Sequence, residues 1–194
     1  MDVALVILHG LFFAPVLFRV IRGLQSGAAD RTDLAASPAR VAARVRAVLF
    51  IHGAGLAVLY GGLGFALLTG GVPRAVTLQG ALGALVLVSA DALMAWAFLV
   101  FRSWRILPKL DLVHELCSSG PYALVRHPMY LAVDLLALGS ALWVPTPPVI
   151  AGALLLILGG DLRARAEEKL LLGAFGDGYR WYLQRVRRIV PGVY

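Results

Sequence analysis

The sequence predicts an all-α, polytopic membrane protein with five transmembrane helices, its N-terminus outside and its C-terminus cytoplasmic. Three observations lead there: a composition too apolar for a soluble globule, five separable apolar spans, and basic residues gathered on one side. Hydrophobic residues make up 60% of the 194 positions and charged ones 15%, at a mean hydropathy of +0.81. A soluble domain carries about 25% charged residues, so too little polar surface is present to wrap one globule. The net charge of +7 would suit a nucleic-acid partner only on a soluble basic face. In a membrane chain Lys and Arg collect in cytoplasmic loops instead, and no nucleic-acid partner is expected. The single Cys117 cannot close an internal disulfide. Arginine outnumbers lysine 16 to 2 and asparagine is absent, a coding bias that removes functional weight from the arginines and points to a bacterial inner membrane.

A span of about 20 apolar residues is needed to cross the hydrocarbon core. The first runs from Val3 to Ile21, with Arg19 and Arg22 at its end. Its basic residues follow the apolar stretch, the reverse of a signal peptide, so it reads as a retained helix. The second span runs from Ala47 to Thr69 and the third from Ala75 to Phe101. Met129 to Asp161 is apolar but interrupted by Pro145-Thr146-Pro147-Pro148, which predicts a hairpin of helices four and five. With five spans, 17 of the 18 basic residues fall on one side and only Arg74 opposite. That count places the C-terminal tail in the cytoplasm. Gly23 to Arg46 reads as a cytoplasmic connector, partly helical, and Gly80 and Ala84 as a small-residue step for close helix packing. The whole chain, 1–194, forms a single membrane domain: 1–115 supplies variable helices and loops, and 116–191 the chemistry.

Two cytoplasmic segments look unlike connectors. In Leu116 to Tyr130, Gly120-Pro121 marks a turn and Arg126-His127-Pro128 enters helix four. Proline suits a first helical position, and the helix N-terminus there offers N–H groups and a positive dipole end to a ligand. Arg126, His127, Tyr122 and Tyr130 serve equally well as interfacial anchors on physics alone. The second segment carries Arg163, Glu167 and Glu168, then glycines at 173, 176 and 178 that end the helix. Arg163 and Glu167 share a face, as a solvated stop-transfer helix would also arrange them. Tyr179, Tyr182 and Val186 follow at i, i+3 and i+7, suiting a short amphipathic helix on the bilayer or folded back over the site.

In combination the segments carry more. Gly120-Pro121-Tyr122, Arg126-His127-Pro128-Met129-Tyr130, the apolar hairpin, Arg163, Glu167-Glu168, and Phe175-Gly176-x-x-Tyr179-x-x-Tyr182-x-x-x-Val186-x-Arg188-x-x-Pro191 form an ordered set. It closely resembles the isoprenylcysteine carboxyl methyltransferase family, whose superfamily includes phospholipid N-methyltransferases and bacterial thiol methyltransferases. The resemblance implies an integral membrane enzyme using S-adenosylmethionine at the cytoplasmic ends of the last two membrane helices. It implies that Leu116, Gly120, Tyr122, Arg126, His127, Pro128 and Tyr130, with Glu167 and Glu168, hold the cofactor. It implies too that Glu168 and Arg163, with Glu167, lie closest to the reacting groups. The chemistry agrees: carboxylates favour a cationic cofactor, an arginine orients an anionic acceptor, and holding donor and acceptor in line in a dry cavity lowers the barrier without a metal.

Polar residues inside apolar spans are functional candidates by default, and here they are His9, His52, Asp91 and Asp134. His9 and His52 lie at opposite ends of their helices, which disfavours a shared metal site. Asp91 or Asp134 is expected either to line an acceptor tunnel open to lipid or to form an interhelical hydrogen bond. The partners expected are a lipophilic acceptor, whether carboxylate, thiol or lipid amine, and membrane lipids, around a monomer with a dimer as the outside case. The competing function is an NADPH-dependent oxidoreductase like the membrane sterol reductases, whose last helices resemble this family. A non-enzymatic scaffold is the third.

Overall fold

The computed structural model describes residues 2–25, 39–73, 77–101 and 116–193. These form five α-helices: α1 (Asp2–Gln25), α2 (Ala39–Thr69), α3 (Leu78–Val100), α4 (Pro128–Trp143) and α5 (Pro147–Arg185), with a 3-10 turn at Gly120–Ala123. No strand occurs among the described residues, and the all-α class stands as expected. Arg46–Thr69 of α2 and Leu78–Val100 of α3 are long and apolar enough to cross a membrane, while Asp2–Phe18 and Pro128–Trp143 are apolar over shorter lengths. Leu68, Phe50, Leu99, Leu85 and Leu154 point outward, exposed, so the apolar bulk faces the surroundings. Such a surface suits lipid, not water. Arg31, Arg74, Arg102, Arg105 and Lys109, five of the basic residues on which the expected orientation rests, lie outside the described residues.

Local chemistry sets the element ends. Thr77 caps α3, its hydroxyl accepting the Gly80 N–H at 3.0 Å. Pro128 and Pro147 open α4 and α5 at the first turn, where a missing N–H costs nothing. The α4/α5 hairpin turns at Val144 to Thr146, where the sequence places it.

Two elements are longer than hydropathy suggests. α2 starts at Ala39, so the end of the connector is continuous with the membrane helix. α5 continues past Asp161 through both glutamates and Gly173. Charges end an apolar span but not a helix, because Arg, Glu, Lys and Leu are good helix formers. Of the three glycines expected to break it, only Gly176 does, at φ 53° and ψ −122°, a conformation open to glycine alone.

Glycine also sets the main helix contact. α2 and α5 run antiparallel with backbones nearly touching: a Cβ on Gly152 would lie 2.4 Å from the Leu59 nitrogen, and one on Gly55 2.8 Å from that of Leu156. Gly62 against Val149 and Gly159 against His52 continue the register in both directions. On the other side Gly83 of α3 meets Gly139 and Trp143 of α4. The close step on α3 thus lies at Gly83, one residue before the expected Ala84, with Gly80 also buried.

Candidate functional site

The site forms where the start of α4, the middle of α5 and the tail after Gly176 converge. The turn at Gly120 has φ +58°, and a Cβ there would stand 2.8 Å from Val100 Cγ2, so only glycine lets this loop seat against α3. Its neighbour Tyr122 packs against Phe101 with ring centroids 5.5 Å apart, and its carbonyl accepts the Tyr182 hydroxyl from the tail. Leu116 and Cys117 stand half-buried at the head of this segment.

The tail then lies alongside the residues before α4. Val125 and Arg187 make a parallel bridge, the Arg126 N–H donates to the Arg187 carbonyl at 2.7 Å, and that of His127 to the Arg188 carbonyl at 3.0 Å. The amphipathic tail therefore folds back over the site, and two N–H groups ahead of α4 are committed to the chain itself. Its Tyr179 and Tyr182 are buried.

Glu168 is the buried centre of this closure. Arg126 donates to its Oε1 from Nε at 2.9 Å, with Nη2 2.8 Å away, while Nη1 reaches the carbonyls of Leu183 and Val186. Arg188 donates from Nε to both carboxylate oxygens at 3.0 Å and from Nη2 to Oε2 at 2.8 Å. His127 Nε2 approaches Oε1 at 3.4 Å. Burial alone would raise the Glu168 pKa, but His127, Arg188 and Arg126 outweigh it and hold the carboxyl well below its ordinary range. Burial pushes the hydroxyls of Tyr122, Tyr179 and Tyr182 upward, so all three stay neutral donors.

Glu167 is placed differently. One third exposed, it accepts the Tyr130 hydroxyl at 3.0 Å and stands 3.7 Å from His127 Nδ1. The His127 and Tyr130 rings stack with centroids 5.5 Å apart, and the Arg163 guanidinium lies 5.4 Å above the Tyr130 ring. The Tyr122 hydroxyl is within electrostatic reach of Glu167 and Tyr130. Sequence residues expected to meet therefore do meet, in two groups: His127, Tyr130, Arg163 and Glu167 on the open side, and Arg126 with Glu168 on the closed side.

Arg188 is legible in the sequence only through its place in the tail motif, since an arginine in a basic tail otherwise reads as solvated. Elsewhere His9 bridges helices, with Nδ1 2.8 Å from the Leu5 carbonyl and Nε2 3.0 Å from Ser140 Oγ. Asp91 and Asp134, by contrast, each keep one buried carboxylate oxygen without a hydrogen-bond partner among the described residues.

No curated protein matches the chain. A family model described as phospholipid methyltransferase matches residues 78–178, from the start of α3 through the turn at Gly176. That stretch covers just over half of the sequence and holds Arg126, His127, Tyr130, Arg163, Glu167 and Glu168, with Arg188 beyond it; the chain belongs to the phospholipid methyltransferase family.

Proposed function

We propose that the protein is an S-adenosylmethionine-dependent methyltransferase that moves a methyl group to a lipophilic acceptor at the cytoplasmic face of the membrane. The observation that carries this reading is Glu167. It is a carboxylate left partly open, fixed by the Tyr130 hydroxyl and neighboured by His127, while Arg126 and Arg188 are spent on Glu168 and Arg163 lies over the Tyr130 ring. A negative group held in place but not neutralised by an arginine fits a cationic ligand.

When bound, the cofactor would supply an electrophilic methyl group on a positively charged sulfur. Glu167, with Tyr130 and His127, would hold it. Gly120, Pro128, Leu116 and Tyr122 would shape the rest of the pocket, and Arg163 would orient the acceptor. Glu168 takes a different part from the one the resemblance implies. Saturated by two guanidinium groups, it works as an anchor that fastens the tail across the site, and Arg126 belongs to that anchor rather than to the ligand. The closed tail keeps water from Glu168, which strengthens the ion pairs that hold it shut. Five membrane crossings with the C-terminus in the cytoplasm of a bacterial cell agree with the charge distribution.

A thermal titration tests the reading. Purified protein should be stabilised saturably by S-adenosylhomocysteine and not by NADPH, because only a ligand that binds the folded state raises the melting temperature. Stabilisation by NADPH alone would overturn it.

A further inference from the structure

After Gly176 the closing turns of α5 present two unlike faces. Tyr179 and Tyr182 are buried towards the site, whereas Arg180, Trp181, Gln184 and Arg185 are exposed on the opposite side. Trp181 is 54% exposed, and the Arg185 guanidinium lies 3.7 Å above its ring. Arg180 makes a surface pair with Asp177 at 2.8 Å, and Arg187 follows, exposed, on the stretch that bridges to Val125. From Asp177 to Val193 the exposed arginines Arg180, Arg185 and Arg187 thus stand against Asp177 as the one exposed acid, with Val190 and Val193 exposed further along. An indole held bare under a guanidinium suits the boundary between lipid and water, where tryptophan can place an apolar body and a polar edge.

The contacts of the tail set the depth of this face. The turn at Gly120 seats against Val100 and Trp96 at the end of the apolar span Leu78–Val100, where a Cβ on Gly120 would lie 3.3 Å from Trp96 Nε1. Tyr122 packs on Phe101, the residue that caps α3, and its carbonyl accepts the hydroxyl of Tyr182, the neighbour of Trp181. Trp181 therefore stands near the level at which this span ends, and Trp96, one turn before that end, is exposed as well. Headgroups occupy that level when the span crosses a bilayer. Charge then selects among them, since each arginine near an anionic surface strengthens binding about fivefold. We propose that Trp181, Arg180 and Arg185 dock the tail on anionic headgroups of the surrounding bilayer, and that this contact holds Arg187 and Arg188 in their closed places over the site. The tail then has two holds, the Glu168 clamp inside and the lipid outside. That closure serves methyl transfer rests on the methyltransferase reading, to which the lipid contact adds a dependence on membrane charge.

Amide hydrogen exchange reads the closure, because Arg126 and His127 donate their N–H groups to the Arg187 and Arg188 carbonyls only when the tail is down. The test places the full chain in nanodiscs of phosphatidylcholine alone, or of phosphatidylcholine and phosphatidylglycerol in equal parts. In the charged discs those two amides should exchange at least about tenfold more slowly, since two arginines contribute about fivefold each. Salt at about 1 M, where the screening length falls to about 3 Å, should remove the difference. A double variant, Arg180→Gln with Arg185→Gln, changes exposed side chains that touch neither glutamate of the site and should lose most of the slowing. It experiences the same surface potential as the wild type, so it separates docking of the tail from a change in local pH. Equal exchange of the wild type in both discs, slowing retained in full by the double variant, or the same slowing from inorganic phosphate in neutral discs would each overturn the proposal. S-adenosylhomocysteine is titrated separately in the charged discs. Its failure to stabilise a chain whose tail exchanges slowly would overturn the methyltransferase reading and leave the lipid contact standing.

Discussion

Arg188 grips both carboxylate oxygens of Glu168, and it does so across the turn at Gly176, joining the tail to the middle of α5. Arg126 completes the clamp from the loop before α4. Removing one partner of a buried ion pair leaves the others charged and unmet, at a cost of about 3–5 kcal/mol. Glu168→Gln should therefore lower the melting temperature markedly and make the tail cleavable at Arg185 or Arg187 by trypsin. An unchanged digestion pattern would mean the tail docks by other means.

The same carboxylate sets an acid limb. Because its folded pKa is depressed, its contribution is fully present above the ordinary glutamate value of 4.5 and is lost as pH falls below that towards the folded value. Melting temperature measured from about pH 8 to about pH 3 should show a steeper acid fall in the wild type than in Glu168→Gln. Parallel acid limbs would remove Glu168 as their source.

Glu167 should separate binding from folding. Glu167→Gln keeps an acceptor for the Tyr130 hydroxyl but removes the charge, so its melting temperature should stay near that of the wild type. Its affinity for S-adenosylmethionine should fall about tenfold or more, the value of a charged hydrogen-bonding group. Isothermal titration of both variants checks the division of labour between the two glutamates. An equal loss from Glu167→Gln and Glu168→Gln in both stability and affinity would refute it.

Much of this was legible in the sequence. Hydropathy and proline found all five helices, since burial and a missing N–H act locally. The ordered motif brought Arg126, His127, Tyr130, Arg163 and the glutamates together. What hydropathy could not show was where α5 ends, because Arg165 and Lys169 end the apolar stretch without ending the helix. Nor could it tell Gly173 and Gly178, which stay helical, from Gly176, which does not; the difference lies in φ. The unequal fates of Glu167 and Glu168 were hidden for a related reason. Neighbours on a helix lie about 100° apart, and which one faces the tail depends on where the tail lands.

Glycine positions give a stability test. Gly152→Ala would put a methyl group 2.4 Å from the Leu59 nitrogen, forcing α2 and α5 apart at a cost of about 1–3 kcal/mol or more. Gly61→Ala, with nothing within 4 Å, should be neutral or stabilise, by up to about 1 kcal/mol in a helix interior. The melting temperatures of the pair should move in opposite directions or differ clearly in size.

Gly176→Ala should carry a strain of about 1–3 kcal/mol, since alanine must adopt a backbone conformation that glycine alone tolerates. Gly178→Ala, two residues on with open space around its Cβ, is the matched control. Trypsin sensitivity of the tail, compared between the two, reads out whether the turn directs the chain back over the site.

The bridge between Val125 and Arg187 also makes one short segment answerable to two neighbours. Cutting the chain after Val186 would take Arg187 from the loop before α4 and Arg188 from Glu168 in one stroke, while the helix contacts at Gly152 and Gly83 would stay as they are.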